Sequence, residues 1–398
     1  MESFKILGIS EPVLRSIKDE KFESPSEIQE KSIPLIMAGR DVIAGSATGS
    51  GKTLAFAAGI IKNSEKGKGI QALILVPTRE LAEQVARTLT KFSKYRPMQI
   101  IAVYGGVGIN PQIQGLKTAD VVVGTPGRIL DHIERGTIRF GRVRTLVLDE
   151  ADRMFDMGFK DDVERIIRKC PEERQTLLFS ATISKEVVQL SKRHMKKPLE
   201  VSVDSYVDPK KLIQTFYDVS DELKFNLLLH LLKNEKSGLV MVFCNTKRNT
   251  DKVADNLRHS NVDALAIHGG LPQGKRNNVI ENFHSGRSCV LVCTDVAARG
   301  LDIPGVSHVY NYDIPRESKQ YIHRIGRTAR AGADGKAINI LCRKDYDNFS
   351  QILKETDVVI TEEMLPVLDK TLVKKVERRM SRPLVRKTRQ LSRPRKRY

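Results

Sequence analysis

The stretch Gly45-Ser46-Ala47-Thr48-Gly49-Ser50-Gly51-Lys52-Thr53 decides how the rest of the chain is read. It follows the apolar run Val42-Ile43-Ala44 and leads into Leu54-Ala55-Phe56-Ala57-Ala58, a good helix start. Strand, glycine-rich loop, Lys-Thr and helix together make a phosphate cradle. Glycines let backbone N–H groups close round an anion, the helix N-terminus adds partial positive charge, and the lysine reaches the β- and γ-phosphates. The Thr53 hydroxyl suits Mg²⁺. Ser46 stands where the pattern G-x-x-x-x-G-K-[ST] has its first glycine. A Gly/Ser/Thr-rich turn before a helix is often only a loop, so the chemistry around it has to decide.

Outward from this loop, apolar runs at 72–76, 100–103, 121–123, 145–148 and 176–179 alternate with helical patterns. The first of those patterns starts at Thr78-Arg79-Glu80 and places Leu81, Val85, Leu89 and Phe92 on one stripe. Before the loop, Ser10 heads a helix over Val13, Leu14 and Ile17, and Ser26 heads another through Gln29 and Ile33. Continuous apolar strands between helices predict a parallel sheet covered on both faces. Special clusters follow the strands: Gly105-Gly106, Thr125-Pro126-Gly127-Arg128, Asp149-Glu150-Ala151-Asp152 and Ser180-Ala181-Thr182. Ligands of open α/β sheets bind at those strand ends. Asp149-Glu150 complements Lys52-Thr53: one carboxylate can hold Mg²⁺ through water, and its neighbour can orient or deprotonate the attacking water.

A polar lapse with a proline predicts a linker at 204–211, between domains at 1–203 and 212–365. In the second half, apolar runs at 239–243, 264–267, 289–293, 306–310 and 337–342 repeat the alternation. The first of these is followed by Cys244-Asn245-Thr246 rather than a phosphate loop, so one nucleotide site is expected. His323, Arg324, Arg327 and Arg330 recur at three- and four-residue spacing, which predicts a shared helix face. Such a face is solvated, contacts RNA, or offers arginine fingers to a γ-phosphate on another domain.

The chain has 398 residues with 67 Lys and Arg against 48 acids, a net charge of +19. That excess points to an anionic polymer, most simply nucleic acid. Residues 366–398 form a basic tail, expected to be disordered. From Thr371 on it carries twelve basic residues against one acid, Glu377. Such a tail would raise RNA affinity through counterion release. The five cysteines have no zinc spacing, and Cys289 and Cys293, in an apolar run, read as buried thiols. No apolar run approaches the ~18 residues of a membrane span, and the start lacks a signal-peptide layout. A cytosolic or nuclear protein is expected, cytoplasmic in the first instance, with no membrane partner.

Taken together, these clusters resemble the DEAD-box ATP-dependent RNA helicases of helicase superfamily 2. The resemblance runs from Phe4 to about residue 365, in family order: Phe4, Pro25 to Gln29, Ala47 to Thr53, Pro77 to Ala82, and each cluster named above. It continues through Gln273-x-x-Arg276, Thr294-Asp295, Ala298 to Asp302 and His323 to Arg330. It implies two tandem RecA-like P-loop NTPase domains that close together on ATP and single-stranded RNA. By that resemblance Gln29 reads the adenine edge, Phe4 stacks on the base, and Asp302 lies near the ribose. Thr48, Gly49, Ser50, Gly51, Lys52 and Thr53 hold the phosphates and Mg²⁺, and Asp149 supports the metal. Glu150 positions the water, Arg327 and Arg330 are the fingers with His323 beside them, and Ser180 and Thr182 couple the acidic strand end to the cleft. Thr78, Arg79, Gly106, Thr125, Arg128, Asn245, Gly269 and Thr294 contact the RNA backbone. The implied partners are sequence-tolerant RNA and ribonucleoprotein or ribosome-assembly factors, with the chain a monomer.

Three positions depart from the family pattern. Lys21 replaces a glycine before Phe22, Ser46 replaces a small apolar residue, and Ala329 replaces a glycine, favouring helix there by ~1 kcal/mol. Two other classes share much of this pattern: an ATP-gated RNA clamp or scaffold with little unwinding, and a processive translocase of a related branch. Gln29 and the Asp-Glu-Ala-Asp tetrad favour the local RNA unwinder.

Overall fold

The computed structural model describes residues 1–45, 49–203, 211–235, 237–298, 303, 305–329, 334–356 and 358–368. Thr48, Asp302, Arg330 and the basic tail from residue 369 lie outside the described residues.

The first sheet is built from β1 (Val42–Gly45), β2 (Ala72–Leu75), β3 (Ile100–Val103), β4 (Val121–Gly124), β5 (Thr145–Leu148), β6 (Gln175–Ser180) and β7 (Leu199–Ser202). All its pairings are parallel, in the order β3-β4-β2-β5-β6-β1-β7. Alternate residues of each strand feed opposite faces, as the two-residue period demands. Val42, Ala44, Ile74, Val123, Val147 and Phe179 enter one apolar core. Ile43, Leu73, Leu75, Val122, Leu146 and Leu178 enter the other. Burial on both faces is why these strands read as unbroken apolar runs.

The second sheet contains β8 (Leu212–Asp218), β9 (Leu239–Phe243), β10 (Ala264–Ile267), β11 (Val290–Cys293), β12 (Val306–Asn311), β13 (Gly335–Leu341) and β14 (Thr361–Glu362). It too is parallel, ordered β10-β11-β9-β12-β13-β8-β14. The second half therefore opens with β8, not with the run at 239–243. The strand matching β1 by place in the sheet is β8, and β9 matches β2. Residues 337–342 are likewise not the last strand, because the two-residue β14 adds an edge beyond them.

Cys293 is buried as expected, but Cys289 is exposed, because it precedes β11. Among the described residues, no helix is long and apolar enough to cross a membrane.

Candidate functional site

β1 delivers the chain to the phosphate loop, and the helix Lys52–Asn63 starts directly after it. Gly49 and Gly51 hold left-handed backbones with φ of +84° and +91°, which glycine adopts without a Cβ penalty. A side chain at Gly51 would also collide with the Gln29 amide. Gln29 Nε2 donates to the Gly51 carbonyl at 2.9 Å, and its Oε1 accepts from the Ser26 N–H at 3.0 Å. The Ser26 hydroxyl donates to the Ser50 carbonyl at 2.7 Å. The segment expected to read a base is thus stitched to the loop expected to hold phosphates.

Lys52 Nζ lies 3.5 Å from Asp149 Oδ1 at the end of β5, with both side chains about 5% exposed or less. Burial pushes the Asp149 carboxyl above its ordinary range, and the Lys52 charge pulls against that. Glu150 follows with φ of +53° and heads the helix Ala151–Asp156. Its Oε2 accepts from Arg153 Nη1 at 2.8 Å, in an ion pair whose side chains are 3–4% exposed. Asp152 Oδ2 accepts from both the Thr182 N–H, at 3.0 Å, and its hydroxyl, at 2.9 Å. Ser180 Oγ accepts from the Asp152 N–H at 3.2 Å and donates to the Thr182 carbonyl at 2.8 Å. These bonds tie the acidic strand end to β6.

In the second half, the helix Ser318–Ile325 carries His323 and Arg324, and Gly326 ends it. His323 and Arg327 therefore do not share a helix face. Arg327 is buried in the turn beyond, and Ala329 has φ of +53°, so it does not extend a helix. The glycine it replaces would suit that left-handed position. Arg324 is consumed by the fold. It makes two 2.7 Å bonds to Asp295 and donates to the Asp313 carbonyl at 2.6 Å and to Asn245 Oδ1 at 2.8 Å. His323 is pushed down to about 3 by burial first and by the Arg153 charge next, so it is neutral near pH 7.

Of the residues expected on RNA, Thr78 caps the helix Arg79–Phe92, and Arg79 lies against Gly106, leaving no room for a Cβ there. Arg128 Nη2 donates to the Val107 carbonyl at 3.1 Å, while its Nη1 is buried without a protein partner among the described residues. Thr125 heads the helix after β4, and Gly269 and Thr294 follow β10 and β11. Asn245 is exposed, and the fold orients its side chain: Nδ2 donates to the Ile314 carbonyl, Oδ1 accepts from Arg324 and its N–H donates to Asp313.

Phe4 requires a correction. It is 0% exposed within the first core and has no face to offer a base. The exposed aromatic nearby in sequence is Phe22, which packs on Phe92 at 6.1 Å. Lys21 before it has φ of +58°, a conformation that favours glycine.

Sequence reasoning singled out Gln273 and Arg276 only as a motif, and the structure shows what they do. Glu80 Oε1 accepts from Arg276 Nη2 at 2.8 Å and from Gln273 Nε2 at 3.1 Å, bridging the two halves. Lys319 Nζ reaches Asp156 at 2.9 Å on the other side of the contact. Lys319 carries no spacing signal that would have found it, whereas Arg153 stands three residues after Glu150, the spacing of a helical ion pair.

With this geometry in place, comparison with known proteins is direct. Residues 26–190 match the DEAD/DEAH box helicase family model, and residues 223–332 match the helicase conserved C-terminal domain model. The chain is 46% identical to the ATP-dependent RNA helicase CshA of Listeria monocytogenes over 359 residues, 89% of this chain and 69% of that one. It is 44% identical to the DEAD-box ATP-dependent RNA helicase CshA of Geobacillus kaustophilus over 375 residues, 94% of this chain and 80% of that one. Among solved structures it is similar to Saccharomyces cerevisiae Dbp5 bound to RNA and ADP BeF3, with a TM-score of 0.83 at 34% identity. That likeness covers 91% of this chain and 96% of the other.

Proposed function

This chain belongs to the DEAD-box ATP-dependent RNA helicases, and from that membership we propose that its own cleft becomes active only when both halves grip single-stranded RNA. The observation that carries the reading is the pair of bridges between the halves: Arg276 and Gln273 on Glu80, and Lys319 on Asp156. Glu80 is the neighbour of Arg79 in sequence, so a strand lying on Arg79 and Gly106 would be felt at the bridge.

In this reading Lys52 and the N–H groups of Gly49, Ser50 and Gly51 bind the ATP phosphates, with Thr48 in the same loop. Gln29 orients the base through whatever hydrogen-bonding capacity its bonds to Ser26 and Gly51 leave. Phe22 replaces Phe4 as the aromatic beside it. Thr53 and Asp149 form an oxygen-only donor set of the kind a hard cation takes, so Mg²⁺ fits there. When bound, it would neutralise charge on the transferring phosphate. Glu150 orients the attacking water. Arg327 stabilises the transition-state charge from the other half, and Arg330 and Asp302 are assigned as finger and ribose contact. His323, neutral and half-buried, lines the same hollow as Arg327. Closure bends one RNA strand and melts a short duplex locally, and hydrolysis reopens the cleft.

Thr78, Arg79, Gly106, Thr125, Arg128, Gly269 and Thr294 line the strand ends that would follow the RNA backbone. Hydroxyls, backbone amides and arginines suit phosphates rather than bases, so binding is sequence-tolerant. We assign residues 1–203 and 212–365 to the two domains, 204–211 to the linker, and 366–398 to a tail that adds RNA affinity. The protein acts as a cytoplasmic monomer on ribonucleoproteins or ribosome-assembly intermediates.

The experiment is RNA-stimulated ATP turnover. Lys52→Ala and Glu150→Gln should each abolish it while the protein stays folded, and retained turnover in either would sink the mechanism.

A further inference from the structure

Arg153 is not a ligand to phosphate, metal or base in the scheme above, yet it is one of the most enclosed charges beside the cleft. It stands one turn after Glu150, and its guanidinium donates to Glu150 Oε2 at 2.8 Å with both side chains 3–4% exposed. A carboxylate so enclosed is costly unless paired, so Arg153 does more for Glu150 than a solvated ion pair would. The backbone of Glu150 and the neighbouring Asp152 fix the pair from the protein side. Glu150 is held at φ of +53°, which sets where its side chain leaves the backbone. The Arg153 N–H donates to Asp152 Oδ1 at 3.0 Å, and Asp152 is anchored to Thr182.

The second half reaches the same short helix. Its last residue, Asp156, pairs with Lys319 at 2.9 Å on the helix that carries His323.

We propose that Arg153 is a positioning residue: its guanidinium holds the Glu150 carboxylate in the orientation that addresses the attacking water, on a short helix that the second half grips through the Lys319–Asp156 pair. The inference rests on the assignment of Glu150 to the water. An arginine suits the task because its planar fork directs hydrogen bonds and stays charged when buried, whereas a lysine offers a less directional charge.

The test compares ATP turnover of the full chain as Arg153→Ala, Arg153→Lys and Arg153→Gln, with ATP and single-stranded RNA each titrated. A misplaced catalytic group costs on the order of 10²-fold. Accordingly, kcat should fall about 10–100-fold in the Ala and Gln variants, while KM for ATP and half-saturating RNA stay within about twofold. Arg153→Lys should recover kcat only in part, above the Ala and Gln variants, because it restores the charge but not the directional fork. Unchanged or raised kcat in the Ala variant, beside an inactive Glu150→Gln protein, overturns the inference. So does equal loss in all three variants accompanied by lower melting temperature. If the Ala variant does not fold, the contrast between Lys and Gln decides in the same way. Turnover retained by Glu150→Gln is a different failure, because it removes the assignment on which the inference rests.

Discussion

The two sheets have one strand order, and the contrast between them shows what a nucleotide site adds to a fold. By place in the sheet, β1 corresponds to β8 and β2 to β9. After β2, Thr78 caps a helix by accepting from the Leu81 N–H, and after β9, Thr246 accepts from the Asn249 N–H. After β1 and β8, each half starts a helix on a buried lysine, Lys52 and Lys224. There the likeness stops. Lys52 emerges from a glycine loop and faces Asp149 at 3.5 Å. Lys224 emerges from Val219-Ser220-Asp221-Glu222-Leu223, which has no glycine, and sits 2.6 Å from Asp345 and 3.4 Å from Cys342 Sγ. One lysine follows a glycine-rich turn and faces a strand-end carboxylate, and the other is a structural plug. Function lives in the site grafted on the fold, not in the fold.

This contrast can be broken or sharpened by experiment. The largest effect should come from the group the second half sends across. Arg327→Ala should leave ATP binding intact and lower hydrolysis by about 10³-fold or more. If only RNA affinity changed, the finger assignment would fail. Next is the plug: Lys224→Met leaves Asp345 buried without its ammonium and should cost about 3–5 kcal/mol of stability. Denaturant titration would measure it. The folded fraction should keep its turnover, and selective loss of turnover would put Lys224 in the cleft.

A smaller effect concerns pH. His323 has an ordinary value of 6.5 and is held down to about 3. Between those values the unfolded chain takes up a proton that the folded chain refuses. The contribution is therefore fully present above about pH 6.5 and declines as pH falls, by about 1 kcal/mol near pH 5.5. Melting curves of the unaltered protein should show more acid loss than those of His323→Gln, and equal loss would contradict the burial argument. The smallest effect is at Ala329, whose left-handed backbone costs about 1 kcal/mol that Ala329→Gly should recover. A fall in melting temperature there would mean that the alanine side chain packs usefully.

How much of this could be read from the chain follows from burial. Fully buried parallel strands such as β2 and β4 are continuous apolar runs, and the clusters at their ends stood out at once. β8 did not, because near the sheet's edge Leu212-Ile213-Gln214-Thr215-Phe216 mixes buried Leu212 and Thr215 with exposed Ile213 and half-buried Gln214 and Phe216, so it shows no continuous apolar run. Its loss from the reading made β9 look like the counterpart of β1 and the Cys-Asn-Thr turn look like a missing phosphate loop. The end of the helix at Ile325 was hidden by side-chain spacing, because His323, Arg324 and Arg327 keep helical intervals through a turn that is not helical. Phe4 and Phe22 could not be ranked by sequence, since only packing shows which ring is sealed in the core. Lys319 acts through a contact between elements distant in the chain, which no local pattern encodes, whereas Arg153 pairs with Glu150 one helical turn away and is recognised only once the short helix after β5 is seen.

The central claim is that a single phosphate grip, made by the first half, works only when RNA brings the second half onto it. The most direct measurement is steady-state ATP hydrolysis with and without saturating single-stranded RNA, for the unaltered chain and for Lys52→Ala. The account predicts strong stimulation by RNA in the first and no turnover in the second under either condition. Hydrolysis that is equally fast without RNA, or that survives Lys52→Ala, would contradict it.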